Sequence, residues 1–237
     1  MSKQLAYVAA LAAVLLSAAV ALYTDVVAPK DLLIPALSLV STFFGATFAF
    51  RLNQDKEARK LEAERRDALN RASFVLIRQW NAMDQIVRQF QAHPPPFARA
   101  FNMPAFKPPA YADLSLSLAE LDFLIDSTNP GLLMDLFIEQ ERFGQALEAL
   151  RIRNEFYVSE LQPALARHEL NHKTVTLEQM RALLGERIYE TAVNGANIAW
   201  DQVFAASESI PKAHQALITQ GKMLFPGKKL ITFERAA

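Results

Sequence analysis

Cysteine is absent from the 237 residues, which excludes disulfides, thiolate metal sites and a cysteine nucleophile. Glycine is scarce at seven, too few for a fold assembled from many tight turns. No excess charge of one sign exists to draw nucleic acid or an acidic substrate, because Lys+Arg and Asp+Glu both number 25. Direct nucleic-acid binding is therefore not expected. The patterns G-x-x-x-x-G-K-[ST], G-x-G-x-x-G and G-x-S-x-G do not occur, and no cofactor is expected. Sustained period-2 alternation is missing as well, which points to an all-α chain.

What is present begins with apolar residues, 51% of the chain and concentrated in the first fifty positions. Leu5–Tyr23 and Leu32–Phe50 are each 19 residues without a charge. At ~1.5 Å per residue either matches the ~30 Å hydrocarbon core of a bilayer. The eight residues Thr24–Asp31 join them, so residues 1–50 read as a two-helix transmembrane hairpin. Arg51, Lys56, Arg59, Lys60, Arg65 and Arg66 follow the second span, and Asp25 and Asp31 sit in the joining loop. The positive-inside rule then places both termini of this multi-pass protein in the cytoplasm. Small residues recur every fourth position: Ala9, Ala13, Ser17 and Ala21, then Ser41, Gly45 and Ala49. Such stripes let membrane helices pack closely, here the two spans of one chain or, alternatively, the faces of a homo-oligomer or pore. Neither span carries an ionisable residue, which disfavours a proton relay.

Residues 51–71 alternate in charge sign without Gly or Pro. Asp55–Arg59, Glu62–Arg66 and Asp67–Arg71 are acid-first i,i+4 pairs, each worth ~0.2–0.5 kcal/mol on an exposed helix. This segment reads as a long stalk helix continuous with the second span. Leu69, Leu76, Trp80, Met83, Val87 and Phe90 then follow 3–4 spacing and read as the first core face of a cytoplasmic helical bundle, residues 72–237.

Six of the twelve prolines fall between Pro94 and Pro109, interleaved with Phe97, Phe101, Phe106 and Tyr111, whose rings are expected to pin that loop on the helices. Ser117–Glu120 has the capping-box pattern of a short helix to about Ser127. Asn129-Pro130 should start a long helix that lasts until Pro163. Thr176–Gln179 is the next start signal, for a face of Leu177, Met180, Leu184 and Ile188 that ends or kinks at Asn194-Gly195. Ile198, Trp200 and Phe204 follow, then a last helix from Ile210 to about Lys222 and a tail at Leu230–Phe233. The basic, apolar tail is expected to pack on the domain, with contact to anionic headgroups as the alternative. Asp122 and Asp126, and Asp135 and Glu139, share helical faces and read as solvated pairs.

One motif has catalytic form. His168-Glu169-Leu170-Asn171-His172 matches H-E-x-x-H, which on a helix turns two imidazoles toward one zinc with the glutamate as base. It resembles the zinc metallopeptidase motif over five residues. That resemblance implies His168 and His172 as metal ligands and Glu169 as catalytic base, with Glu186 or Glu190 as third ligand. Lys173 and the start signal at Thr176 depart from the family context, so the preferred expectation is a polar helix end with no metal.

The layout of hairpin, charged stalk and helical domain resembles small bacterial inner-membrane proteins, some of which act as anti-phage membrane effectors, and that resemblance implies a bacterial inner-membrane location. It also implies a non-enzymatic, membrane-anchored interaction protein. Its partners would be the lipid bilayer and a cytoplasmic protein or complex, with membrane disruption under that partner's control as the specific version. A membrane-tethered zinc hydrolase is the alternative.

Overall fold

The computed structural model describes Val20, Tyr23 and residues 29–94, 96–108, 115–170 and 175–232. Among them the chain is all-α, without a strand. The six α-helices are α1 (Pro29–Gln91), α2 (Pro96–Phe101), α3 (Gly131–Phe156), α4 (Gln162–Arg167), α5 (Leu177–Leu184) and α6 (Glu186–Leu224). A 3₁₀ helix covers Leu118–Leu124, and a π-helical segment, Tyr157–Leu161, joins α3 to α4. The chain divides into two compact units, Met1–Glu62 and Ala63–Ala237.

In the first unit the backbone is helical from Pro29 onward, through the second apolar run and into the charged segment. Among the described residues no helix is long and apolar enough to cross a membrane. The first apolar run, with Ala9, Ala13, Ser17 and Ala21, lies outside the described residues except for Val20 and Tyr23. Ser41, Gly45 and Ala49 are exposed, and no atom approaches within 4 Å of where a Gly45 Cβ would stand. The Thr42 hydroxyl donates to the Ser38 carbonyl at 2.8 Å, so this polar group is satisfied inside its own helix.

The second unit starts earlier than the charge pattern suggests. Ala68 and Leu69 are already core, with Leu69 fully buried, because two apolar residues suffice to seat the last turns of the charged segment. Asp67 pairs with Arg66, and Arg71 with Glu120 on the 3₁₀ helix at 2.6 Å, in place of an Asp67–Arg71 pair. From there α1 buries Leu69, Leu76, Met83, Val87 and Phe90, while Trp80 stays half-buried. The stripe meets Leu132, Leu136, Phe143 and Leu150 of α3 and a row on α6: Ala199, Val203, Ala206, Ile210, Ala213 and Leu217. Alanines at every second contact let α6 lie close to its neighbours. Ile198 and Phe204 are turned outward on the flanks, and Trp200 is half-buried.

Several breaks fall elsewhere than expected. Ser117 makes no side-chain cap, and the turn it precedes is 3₁₀. Pro130 is the N-cap of α3, so the helix starts one residue later than the Asn129-Pro130 pattern implies. Pro163 does not stop the chain of helices, because the π-helical segment widens the turn that its ring would crowd at the Ser159 carbonyl. Gly185, at φ 76° and ψ 154°, is the real break between α5 and α6, a conformation close to glycine-only. Asn194 and Gly195 lie inside α6, as does Pro211. An internal proline costs ~3 kcal/mol, and burial of Ile210 and Leu217 beside it recovers ~1.5–3 kcal/mol each. Glu139, expected in a solvated pair, is buried at 7%, while Asp122, Asp126 and Asp135 are exposed.

A smaller core closes the other end of this unit: Phe101, Leu161, Leu165, Leu170, Met180 and Leu184 pack against Ala192 and Ala196. Thr176 completes a capping box there, receiving the Gln179 N–H at 3.2 Å and donating its own to the Gln179 side chain at 2.9 Å.

Candidate functional site

The H-E-x-x-H motif begins where a helix ends. α4 stops at Arg167, His168 is its C-cap with φ −95° and ψ 6°, and Glu169 turns left-handed at φ 53°. The helical spacing that would align two imidazoles is already lost between His168 and Glu169. His172 lies outside the described residues. Arg181 holds Glu186 at 3.0 Å and also binds Glu190, so both acids expected as third ligand are engaged in surface ion pairs. Among the described residues no group of three or more His, Asp or Glu side chains is arranged to hold a metal.

Buried polar groups elsewhere hold elements together. Arg153 of α3 is 4% exposed and faces no carboxylate among its bonded partners. One guanidinium nitrogen donates to the Pro104 carbonyl and Asn154 Oδ1, each at 3.0 Å. The other donates to the carbonyls of Arg99, at 3.1 Å, and Met103. These carbonyls belong to the end of α2 and the turn after it, so a cation caps the negative end of that helix. Burial pushes the Arg153 pKa down to about 10, still protonated at neutral pH. Asn154 adds a bond to the Phe106 carbonyl at 2.7 Å. The described part of the proline-rich loop is pinned in this way, with Phe101 buried and Phe97 and Phe106 half-buried. Tyr111 lies outside the described residues. The Arg99 guanidinium stacks over Trp200 at 4.0 Å, and Phe90 meets both Trp200 and Phe106.

His214 and Ser73 form a pair that suggests nucleophilic chemistry until the protons are counted. Nε2 lies 2.9 Å from the Ser73 hydroxyl, which donates to the Ile231 carbonyl at 2.7 Å. The one hydroxyl proton is thereby used, so Nε2 is the donor to Ser73 and not its base. Activating the serine needs the opposite polarity. The same bonds dock the tail: Ile231 N–H donates to Asn70 Oδ1 at 2.9 Å, and Leu230 packs on the core. Gly221 lets Leu230 and Leu69 pack closely beneath the tail, since a Cβ there would stand 2.8 Å from Leu230 Cδ1 and make that side chain shift.

A further feature is a surface groove of about 750 Å³ between α3 and α6, next to a larger one of about 980 Å³ between α3 and residues 105–108. Glu141, Gly144, Glu148 and Ile152 line the smaller one from α3, Gly195, Ile198 and Gln202 from α6. Ile152 and Ile198 are 54% and 57% exposed. Both glycines are helical, and nothing lies within 4 Å of where their Cβ atoms would be. A glycine inside a helix costs ~0.5–1 kcal/mol against alanine, so each leaves bare backbone at a cost in stability. Sequence reasoning missed this groove, since Gly195 reads with Asn194 as an end or kink of a helix. The signal available was Gly144, a glycine in the middle of a strongly helical stretch without a neighbouring break residue.

No protein-family model matches the chain, and neither a curated protein nor a solved structure does.

Proposed function

We propose that the chain is a non-enzymatic, membrane-anchored interaction protein whose second unit docks a partner protein in the groove between α3 and α6. The observation that carries this reading is the groove, where two exposed isoleucines flank bare glycine backbone. The buried ionisable groups Glu139, Arg153 and His214 are bonded within the fold and offer no reactive site: Ser209 and Arg142 hold Glu139, carbonyls hold Arg153, and Ser73 holds His214.

Membrane anchoring is supported by the uncharged run Leu32–Phe50 and by the exposure of its described side chains. Leu37, Leu39, Phe44, Phe48 and Phe50 stand 52–71% exposed, a display of apolar surface that suits lipid. The cations after Phe50 favour a bacterial inner-membrane hairpin with both termini cytoplasmic. In the specific version, release of the partner lets hairpins assemble and disrupt the membrane, as in an anti-phage effector.

Photocrosslinking residues at Ile152 and Ile198, with Lys212 as control, test the docking role in native membranes. A discrete adduct from the first two positions and none from the third is expected. No adduct, or the same adducts from all three, would refute it. Reporter fusions after Lys3, Val27 and Ala237 should read inside, outside and inside, and an external signal from the last would refute the hairpin.

A further inference from the structure

We infer that the groove between α3 and α6 receives a basic amphipathic helix of a partner protein, a statement that rests on the docking role proposed above. Shape comes first. Gly144 and Gly195 stand on opposite walls, and no atom fills the space over either. The fold gains no contact from glycine at these positions, so the return lies in what can approach from outside. Small residues let a helix backbone come close, while Ile152 and Ile198 supply the apolar surface that a helix-in-groove contact uses.

Charge selects the partner. Glu141 and Glu148 line the α3 wall; Glu148 shares Arg151 with Glu155, two acids to one cation, so the wall keeps a net negative charge, and Asp201, next to the lining residue Gln202 on α6, is exposed. The basic residue in the lining is Arg153, and its terminal guanidinium nitrogens are committed to carbonyls and to Asn154. An anionic ligand would find the cations nearby, Arg151 and Arg153, already engaged and an excess of acids over them. A second copy of the chain would set these acids against each other at short range. A helix with leucines on one face and lysines along its flanks satisfies both walls.

The chain has no cysteine, so a single reporter site is simple to install. An environment-sensitive dye on Gln145→Cys in the full chain in mild detergent, with Lys212→Cys as control, reports occupancy of the groove separately from micelle binding. The probes are two helical peptides of about 18 residues with one leucine pattern, flanked by lysine in one and glutamate in the other. The lysine peptide should give a saturable change at residue 145, roughly tenfold tighter than the glutamate peptide. Gly195→Leu should abolish the response at unchanged helicity, and Glu141→Lys with Glu148→Lys should reverse the preference. If Gly195→Leu fails to fold, Ile198→Lys takes its place, since that side chain is already exposed and the added cation opposes the lysine peptide. Equal binding of the two peptides, an unaltered response in the groove variants, or a concentration-dependent homodimer through this face would overturn the inference. A partner crosslinked at Ile198 that the lysine peptide does not displace would overturn the helix and leave the docking role standing.

Discussion

His214 donates its Nε2 proton to the hydroxyl of Ser73, 2.9 Å away in the core between α1 and α6. Burial holds the imidazole pKa below its ordinary value, so the folded state keeps a neutral ring where the unfolded chain would accept a proton. The sign follows from linkage. Above about pH 6.5, the unfolded value, this group contributes its full stability; below it the unfolded state binds the proton first and stability falls until the folded pKa is passed. His214→Gln can keep a donor for Ser73 and cannot charge. Urea midpoints of the variant should therefore fall less than those of the parent between about pH 6.5 and 5. Parallel slopes would remove His214 as the cause.

Arg153→Met keeps the length of the side chain and removes the donors. The carbonyls of Arg99, Met103 and Pro104 would be left without this partner at a buried turn. A loss of about 3 kcal/mol or more is expected in denaturant unfolding, with faster proteolysis in the 102–108 stretch. A loss below about 1 kcal/mol would mean that water replaces the guanidinium with little penalty.

Two glycines should respond to alanine in opposite directions. Gly185 has φ 76°, where a Cβ is strained, so Gly185→Ala should cost about 1–3 kcal/mol. Gly144 is helical with open space around it, so Gly144→Ala should stabilise by about 0.5–1 kcal/mol. Thermal melts of the two variants settle the comparison, and destabilisation by Gly144→Ala would point to a neighbour that the open groove does not reveal.

The zinc alternative has its own measurement. Elemental analysis of purified protein should give no stoichiometric zinc, and Glu169→Gln should leave any cellular phenotype intact. The left-handed turn at Glu169 is the ground, since it breaks the helical spacing that aligns the two ligands. About one zinc per chain, lost together with activity in His172→Ala, would restore the hydrolase.

The elements readable from sequence were those whose signals are local. The capping box at Thr176 needs only residues within one turn, and the α1 stripe from Leu69 to Phe90 repeats large side chains at helical spacing. The α6 face was hidden because alanine looks neutral in any hydropathy pattern, while Trp200 and Phe204 look like core and sit on the flank. The role of Arg153 was equally hidden. Its partners are backbone carbonyls about fifty positions away, which no side-chain pattern can announce. The groove was legible least of all, since its glycines make sense only when the space above them is known to be empty.

The π-helical segment Tyr157–Leu161 carries one more residue per turn than the helices on either side, and so acts as a phase slip. The buried row of α3 runs through Phe143, Ala146, Leu150 and Arg153, and a regular helix would bring it to residues 157, 160 and 164. Tyr157 and Glu160 of that row are only half-buried, whereas Leu161 and Leu165 are buried beside Ala164 and serve the smaller core. Deleting Ser159 would remove the surplus residue, crowd Pro163 against the turn before it and rotate everything after it by ~100°, carrying Leu165 out of register with Met180 and Leu184. In this stretch a more regular backbone would mean a worse-packed protein, because one surplus residue sets the clock for the second core.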